Sequence, residues 1–193
     1  MRDWETEVKI STPDISAIRK RLRELGFSLF HRRTLEDNTL FDTPDRSLRK
    51  VRSILRLRRY GSHWEVTFKG TPVADPLYKS RLEVEFGVEA PQPIRAMFEA
   101  LGFSPVFRYQ KYRSQYAPLP KGGRRRAFPL VALDETPIGN FMEIEGSRSS
   151  IDKLARQLGY SRSDYSTASY GALYLEECRK RQIPPGDMVF PAS

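Results

Sequence analysis

Charged and apolar residues alternate along most strand-like segments of this 193-residue chain, and this alternation is its strongest constraint on the fold. Successive side chains of a β-strand point to opposite faces. In the stretch ETEVKI near the amino terminus, Val8 and Ile10 therefore share an apolar face. The opposite face carries Glu5, Glu7 and Lys9.

The same charged face recurs on seven predicted strands, and the pattern E-x-E occurs three times between hydrophobic residues. The acids on this face are Glu5, Glu7, Glu83, Glu85, Asp134, Glu143 and Glu145. The bases on it are Lys9, Arg56, Arg58, Lys69, Arg81, Lys111 and Arg113. A charged face repeated on so many strands indicates one shared surface, which becomes a lumen if the sheet closes.

The predicted elements favour an α+β fold with more strands than helices. Amphipathic spacing and glycine stops predict helices at 12–27, 93–103 and 149–160, and a fourth helix is expected over 170–181. Strands are predicted at 5–10, 39–45, 53–59, 64–70, 81–86, 107–116, 130–135 and 141–146. Eight antiparallel strands can close into a barrel, with the helices packed outside. The length fits a single domain over 1–193.

Composition limits the kinds of ligand and metal site that we expect. A formal net charge of +9 points to an anionic ligand. Two histidines and one cysteine make a His/Cys zinc site unexpected, so a metal would sit on carboxylates. With no long apolar run and no apolar segment at the amino terminus, we expect a cytoplasmic protein that is not in the membrane.

The charged face poses an electrostatic problem if it lies inside a barrel. Crowded carboxylates repel each other, and a divalent cation removes that conflict. Clustered Arg and Lys side chains need anions, and a metal-bound polyphosphate would satisfy both sets. Alternation alone leaves open whether this face is inside, because charged pairs on the outside of a sandwich need no ligand.

A series of short motifs resembles the CYTH family, the triphosphate tunnel metalloenzymes. Glu5, Glu7 and Lys9 form its E-x-E-x-K motif, and further motifs follow in the family's order: FDTPDRSL, LRLR, TFKG, RLEVE, KYR, LDE and FMEIEG. The resemblance spans about Trp4 to Gly146, and SYGAL at 169–173 is also similar. Members of this family include inorganic triphosphatases, thiamine triphosphatases and class IV adenylate cyclases.

The resemblance implies a closed eight-stranded tunnel that binds a triphosphate with Mg²⁺ or Mn²⁺. By motif, the expected metal ligands are Glu5 and Glu7, an opposing wall of Asp134, Glu143 and Glu145, and a supporting pair, Glu83 and Glu85. The expected phosphate-binding residues are Lys9, Arg56, Arg58, Lys69, Arg81, Lys111 and Arg113.

For function, the resemblance favours a metal-dependent triphosphatase acting on tripolyphosphate, thiamine triphosphate or a nucleoside triphosphate. Glu5, Glu7 and Lys9 are its expected catalytic residues, and Lys9 would assist the nucleophile only if its pKa is lowered. An adenylate cyclase is the first alternative, although it also needs an adenine pocket that the sequence does not locate. A non-catalytic polyphosphate or nucleotide binder is the second. Nucleic-acid binding is not expected from the basic run at 122–128, and a homodimer stays open.

Overall fold

The computed structural model describes residues 2–119 and 129–191. Its eight strands are β1 (Arg2–Ser11), β2 (Phe27–Asp42), β3 (Ile54–Tyr60), β4 (His63–Lys69), β5 (Lys79–Val88), β6 (Ser104–Pro118), β7 (Leu130–Thr136) and β8 (Gly139–Glu145). The strands are antiparallel and form a closed barrel in the order β1-β5-β4-β3-β2-β6-β7-β8. The predicted fold class is confirmed.

Five α-helices accompany the barrel in the described part of the chain. They are α1 (Ile15–Glu24), α2 (Ser47–Lys50), α3 (Pro91–Ala100), α4 (Arg148–Gln157) and α5 (Tyr170–Arg181), with a 3-10 turn at Arg162–Asp164. Asp14 caps α1 by accepting a hydrogen bond from the Ala17 amide. Among the described residues, no helix combines the length and apolar character needed to cross a bilayer.

Helices cover the apolar outer face of the barrel and so determine which face lies inside. Val8 and Ile10 of β1 are fully buried in a cluster with Leu22 of α1 and Ile151 of α4. On another side, Phe98 of α3 packs edge-on against Phe41 of β2, with ring centroids 5.1 Å apart. Since the apolar residues face these helices, the alternate charged residues of the same strands face the barrel interior.

Strand β2 begins twelve residues before its predicted start at 39. Its pairing with β6 shifts register between Leu29 and His31 and again between His31 and Thr34. These irregularities break the period of two that predicts a strand. Of the predicted loop at 118–126, only the first two residues are described. The basic run at 122–128 lies outside the described residues.

Helix α5 differs from the outer helices because it inserts a side chain into the barrel. Its first residue, Tyr170, is buried against Phe141 of β8 and Tyr109 of β6, both of which point inward. The irregular chain after α5 returns to the same place, where Met188 is buried and pairs with Tyr109. This carboxyl-terminal segment therefore helps to build the interior.

Candidate functional site

The barrel encloses a cavity of about 1570 Å³ that is lined by inward-facing charged side chains. Of the fourteen acids and bases predicted to share a charged face, thirteen line this cavity. The exception is Asp134, which is fully buried in the wall behind them. The structure thus brings the predicted residues together, around one enclosed space.

Asp134 is the centre of one group of charges. Its carboxylate accepts two hydrogen bonds from Arg113, at 2.7 and 2.6 Å, and one from Lys111 at 2.9 Å. The Tyr170 hydroxyl donates a fourth at 2.5 Å. These bonds occupy both carboxylate oxygens, so Asp134 fixes the side chains of Lys111 and Arg113, which face the cavity. The role of Asp134 as a metal ligand stays a prediction.

Lys9 and Glu143 form a buried ion pair, and Glu143 also contacts Arg113. Burial acts to raise the pKa of Glu143, but Lys9 and Arg113 hold that pKa well below its usual range. Burial likewise acts to lower the pKa of Lys9, but Glu143 raises it. Both side chains therefore stay charged at neutral pH. The lowered pKa that would let Lys9 assist a nucleophile is not seen.

Glu36 of β2 is a member of this group that the sequence analysis did not find. It is almost fully buried, and its carboxylate lies 3.5 Å from Lys111, 3.6 Å from Arg58 and 3.8 Å from Arg113. Burial opposes ionisation, but these three bases keep the pKa of Glu36 well below its usual range. Together with Glu36, the residues around Asp134 form what we call the paired network: Lys9, Glu36, Lys111, Arg113, Asp134 and Glu143.

A second group of charges surrounds Glu5 of β1. Glu5 accepts hydrogen bonds from Lys69 at 2.8 Å and from Arg81 at 2.9 Å, and Lys69 also lies 3.0 Å from Glu83. Glu7 is paired with Lys79 at 2.9 Å. We call this group, which also contains Glu145, the open network: Glu5, Glu7, Lys69, Lys79, Arg81, Glu83 and Glu145.

Glu145 lies directly across from Glu7 in the pairing of β1 with β8, and within the described residues no Lys or Arg forms an ion pair with it. Burial, then the charges of Glu5 and Glu7, raise the pKa of Glu145 to about 7. These three carboxylates are hard oxygen donors of the kind that Mg²⁺ and Mn²⁺ prefer. No preformed cluster of three metal-ligating side chains occurs in 2–119 and 129–191. Glu5 is paired with Lys69 and Arg81, and Glu7 is paired with Lys79. The unbalanced charge at Glu145 nevertheless fits a divalent cation.

The two arginines of β3 are placed differently from the other bases. Arg56 donates to the Thr67 hydroxyl at 2.8 Å, and its nearest carboxylates, those of Glu85 and Glu65, are 3.8 and 3.9 Å away. Its Nε atom has no hydrogen-bond partner in the described structure. Arg58, in contrast, donates to Asn38 at 3.0 Å and lies 3.4 Å from Glu65 and 3.6 Å from Glu36. Of the two, only Arg56 lacks a close carboxylate among the described residues. A buried guanidinium without a close carboxylate has donors left for an anion.

Sequence reasoning missed Glu36, Lys79 and Tyr170. Lys79 lies two residues before Arg81 on β5, so extending the alternation by one step would have found it. Glu36 lies in a regularly paired part of β2, three residues before the predicted strand start at 39. In the stretch LEDNT at 35–39, Asp37 breaks the apolar alternation that marks a strand. Tyr170 belongs to the SYGAL stretch, and its inward position depends on how α5 packs, which no spacing within the helix reveals.

Comparison with known proteins agrees with this architecture. The CYTH domain profile matches residues 3–170. A Methanocaldococcus jannaschii protein named "Putative adenylate cyclase MJ0240" is 30% identical over 154 residues, which are 80% of this chain and 83% of that protein.

Two solved structures share the fold. A "putative adenylate cyclase" from Vibrio parahaemolyticus superposes with a TM-score of 0.72 at 22% identity, covering 87% of this chain and 95% of that one. The "putative adenylyl cyclase HpAC1" from Hippeastrum, described as having a dominant triphosphatase activity, gives a TM-score of 0.64 at 21% identity, covering 90% and 96%. With the family profile spanning most of the chain and the charged cavity in place, this protein belongs to the CYTH domain family.

Proposed function

We propose that this protein is a metal-dependent hydrolase of a triphosphate bound inside the barrel. The observation that carries the proposal is the composition of the cavity wall, in which bases and carboxylates face the same enclosed space. Phosphates need the bases, and the cation that accompanies them needs the carboxylates. One ligand, a metal-bound triphosphate, would neutralise both.

The bases of β3 and β6 are suited to hold the phosphates. Arg56 lines the cavity with no carboxylate of the described residues closer than 3.8 Å, and Lys111 and Arg113 are fixed in place by Asp134 and Glu36. Donors that are already oriented lose little entropy when the anion binds and stabilise charge that grows on the transferring phosphoryl group. Lys69 and Arg81, the other predicted phosphate ligands, would first have to leave Glu5.

Glu5, Glu7 and Glu145 are the residues that would hold Mg²⁺ or Mn²⁺. When bound, the cation would polarise phosphate oxygens and neutralise part of their charge. The proposal also retains the other predicted metal ligands, which are Glu83, Glu85, Asp134 and Glu143. In the structure Asp134 and Glu143 hold cationic side chains.

Lys9 acts in this proposal as a cation. Glu143 raises its pKa in spite of burial, and its Nζ atom lies 4.1 Å from the centroid of the Tyr170 ring. A protonated, anchored amine binds a phosphate oxygen and favours the departure of a negatively charged leaving group. It does not serve as a base.

Cyclisation of ATP is the competing activity, because the Methanocaldococcus jannaschii relative carries the name of an adenylate cyclase. Hydrolysis is favoured here because it requires only the charged tunnel residues, whereas cyclisation also requires a site for adenine. The Hippeastrum protein, which shares the fold, is described as having a dominant triphosphatase activity.

The test is to incubate the protein with Mg²⁺ or Mn²⁺ and, separately, tripolyphosphate, thiamine triphosphate and ATP, and to measure released phosphate and cyclic AMP. We expect phosphate as the main product. The double variant Glu5→Gln/Glu7→Gln should lose turnover by at least about 100-fold. Glu24→Gln, on the exposed surface of α1, is the matched control and should keep full activity.

Each other outcome has a distinct meaning. Cyclic AMP as the main product from ATP would replace the hydrolase with a cyclase. Triphosphate binding without turnover under any of these conditions would indicate a non-catalytic binder. No binding of any triphosphate would overturn the proposal entirely.

A further inference from the structure

Three arginines stand at the place where the charged cavity reaches the surface. Arg46, Arg49 and Arg52 line the cavity and are at the same time exposed to solvent. They belong to the connection between β2 and β3, which contains the one-turn helix α2, and we call residues 46–52 the arginine turn. None of the three has an acidic partner among the described residues, whereas most bases inside the barrel are paired with carboxylates.

The backbone of this turn is held rigidly. Asp42, buried at the end of β2, accepts hydrogen bonds from the amides of Leu48 at 2.9 Å and Arg49 at 3.0 Å. The Ser53 amide donates to the Leu48 carbonyl at 2.9 Å. The turn therefore presents its side chains from a fixed frame, as a preorganised binding surface would.

Two of the three arginines have a backbone conformation that is unfavourable for their type. Arg46 has φ of +61° and Arg52 has φ of +59°, in the left-handed region that glycine and asparagine adopt more readily. Strain of this kind is a reason to look for a function of the side chain. In this turn, both strained positions carry a cation that faces the cavity entrance.

The acids near the turn do not neutralise it. Asp45 is paired with Lys50 at 3.1 Å. Asp187, which lines the cavity as well, forms a hydrogen bond with the Arg108 amide, and among the described residues it makes no ion pair with the three arginines. The three arginines therefore have no ion-paired acid at the entrance.

The arginine turn also continues the line of bases inside the barrel. Arg56 lies four positions after Arg52 in the chain, so their Cα atoms lie at most about 14 Å apart. Arg56 is the buried base whose guanidinium lacks a close carboxylate. Arg56 and the three arginines line the same cavity, so one extended anion can contact both.

From these observations we infer that the arginine turn is a second anion subsite, which binds the part of a linear inorganic polyphosphate that projects beyond a triphosphate held inside. This inference rests on the proposed function for the inner site. It assigns the substrate class as condensed phosphate chains longer than three units. A chain of repeating anions is the ligand that uses the inner bases and the outer arginines at once.

The test compares binding of tripolyphosphate and of a longer linear polyphosphate of defined length, by calorimetry with and without Mg²⁺. The mouth variant is Arg46→Asn/Arg49→Gln/Arg52→Asn, in which asparagine suits the left-handed positions. The control variant, Lys20→Gln/Arg23→Gln/Lys153→Gln, removes the same charge from exposed positions of α1 and α4 that do not line the cavity. Thermal unfolding of both variants verifies that they fold.

We expect the wild-type protein to bind the longer chain more tightly than tripolyphosphate, and the mouth variant to lose about tenfold in affinity for the longer chain. Its affinity for tripolyphosphate should stay within about twofold of wild type. The control variant should retain the preference for the longer chain.

Several results would overturn the inference. They are equal wild-type affinity for both chains, equal losses in the mouth and control variants, and a mouth variant that loses tripolyphosphate affinity to the same degree. Preferential loss of single-stranded RNA binding in the mouth variant would instead assign the turn to nucleic acid. If tripolyphosphate itself does not bind, the proposed function fails, which is distinguishable from failure of the outer subsite alone.

Discussion

The paired network and the open network differ in how their charges are balanced. The paired network has three acids, Glu36, Asp134 and Glu143, and the same number of bases, all in contact. The open network has one acid more than it has bases, and Glu145 is the member left without an ion pair in the described structure.

This difference separates two tasks within one barrel. Arg113 and Lys111 are held in place by permanent counterions behind them, so they are ready for an anion before it arrives. In the proposed function, the open network would instead be balanced by a bound divalent cation. Removing an acid that is ion-paired should therefore destabilise the fold, whereas removing the charge of Glu145, which has no ion pair in the described structure, should stabilise it.

The largest effect is expected from Asp134→Ala in the paired network. The variant leaves Arg113, Lys111 and the Tyr170 hydroxyl buried without their common acceptor. Breaking a buried ion pair from one side costs about 3–5 kcal/mol of unfolding free energy. Chemical denaturation measures the loss.

Asp45→Asn is the control for that measurement, since Asp45 pairs with Lys50 on the exposed surface and should give no measurable change. A loss for Asp134→Ala as small as that of the control would mean that the paired network does not act as a unit.

How far the sequence predicts these networks depends on the regularity of each strand. On β1, β5 and β8 the period of two is unbroken, so Glu5, Arg81 and Glu145 were found by counting alone. The number of antiparallel strands made closure into a barrel possible, and helices with apolar stripes, which need an apolar sheet face to cover, suited an inward charged face. The resemblance to a known family supplied the tunnel itself.

The remaining members depend on tertiary structure. Glu36 lies on β2 before the predicted strand start at 39, in a polar stretch whose sequence shows no apolar alternation, so its inward position was not predicted. Tyr170 enters the barrel from α5, which the sequence predicts only as a helix outside the barrel. The balance of charge also escapes the sequence, because it depends on which base reaches which acid. Only the structure indicates that Glu145 lacks an ion pair while Asp134 has two.

A smaller effect within the paired network is expected from Tyr170→Phe. The change removes one donor to Asp134, which keeps its hydrogen bonds from Arg113 and Lys111. The loss of unfolding free energy should be about 1–2 kcal/mol. Tyr174→Phe, on the same helix with a weaker bond of 3.3 Å to the Asp187 carbonyl, should cost less in the same denaturation experiment. Equal costs for the two variants would contradict a special role for the Tyr170 hydroxyl.

In the open network, Glu145→Gln should stabilise the metal-free protein, and only at higher pH. The folded-state pKa of Glu145 is about 7, above the value of about 4.3 expected after unfolding. Its contribution to stability is therefore present below the unfolded pKa and is lost as the pH rises through 7. With allowance for partial solvation, the variant should exceed wild type by about 1–2 kcal/mol near pH 8 and match it near pH 4.

Glu7→Gln gives the contrasting measurement. Burial acts most strongly on Glu7 and favours a raised pKa, but Lys79 and Lys9 act against it and the net pKa is lowered. Glu7 therefore stabilises the fold above its unfolded pKa and loses that contribution as the pH falls. Thermal unfolding across the pH range should show Glu7→Gln below wild type near neutral pH. The same sign of change for both variants would show that the open network lacks the proposed imbalance.

The smallest effect is the stabilisation by Mg²⁺ itself. A ligand that binds only the folded state at ten times its Kd adds about 1.4 kcal/mol, and Glu145→Gln should gain less because one of the three carboxylates is gone. The greater stability of Glu145→Gln near pH 8 should therefore shrink or vanish when Mg²⁺ is added. Thermal unfolding in Mg²⁺ and in NaCl of equal ionic strength measures this change. Because any salt screens exposed charges, only stabilisation by Mg²⁺ beyond that by NaCl indicates specific binding. If Mg²⁺ stabilises wild type and Glu145→Gln equally, the cation does not bind at Glu145. The proposal that Glu145 is a metal ligand would then be wrong.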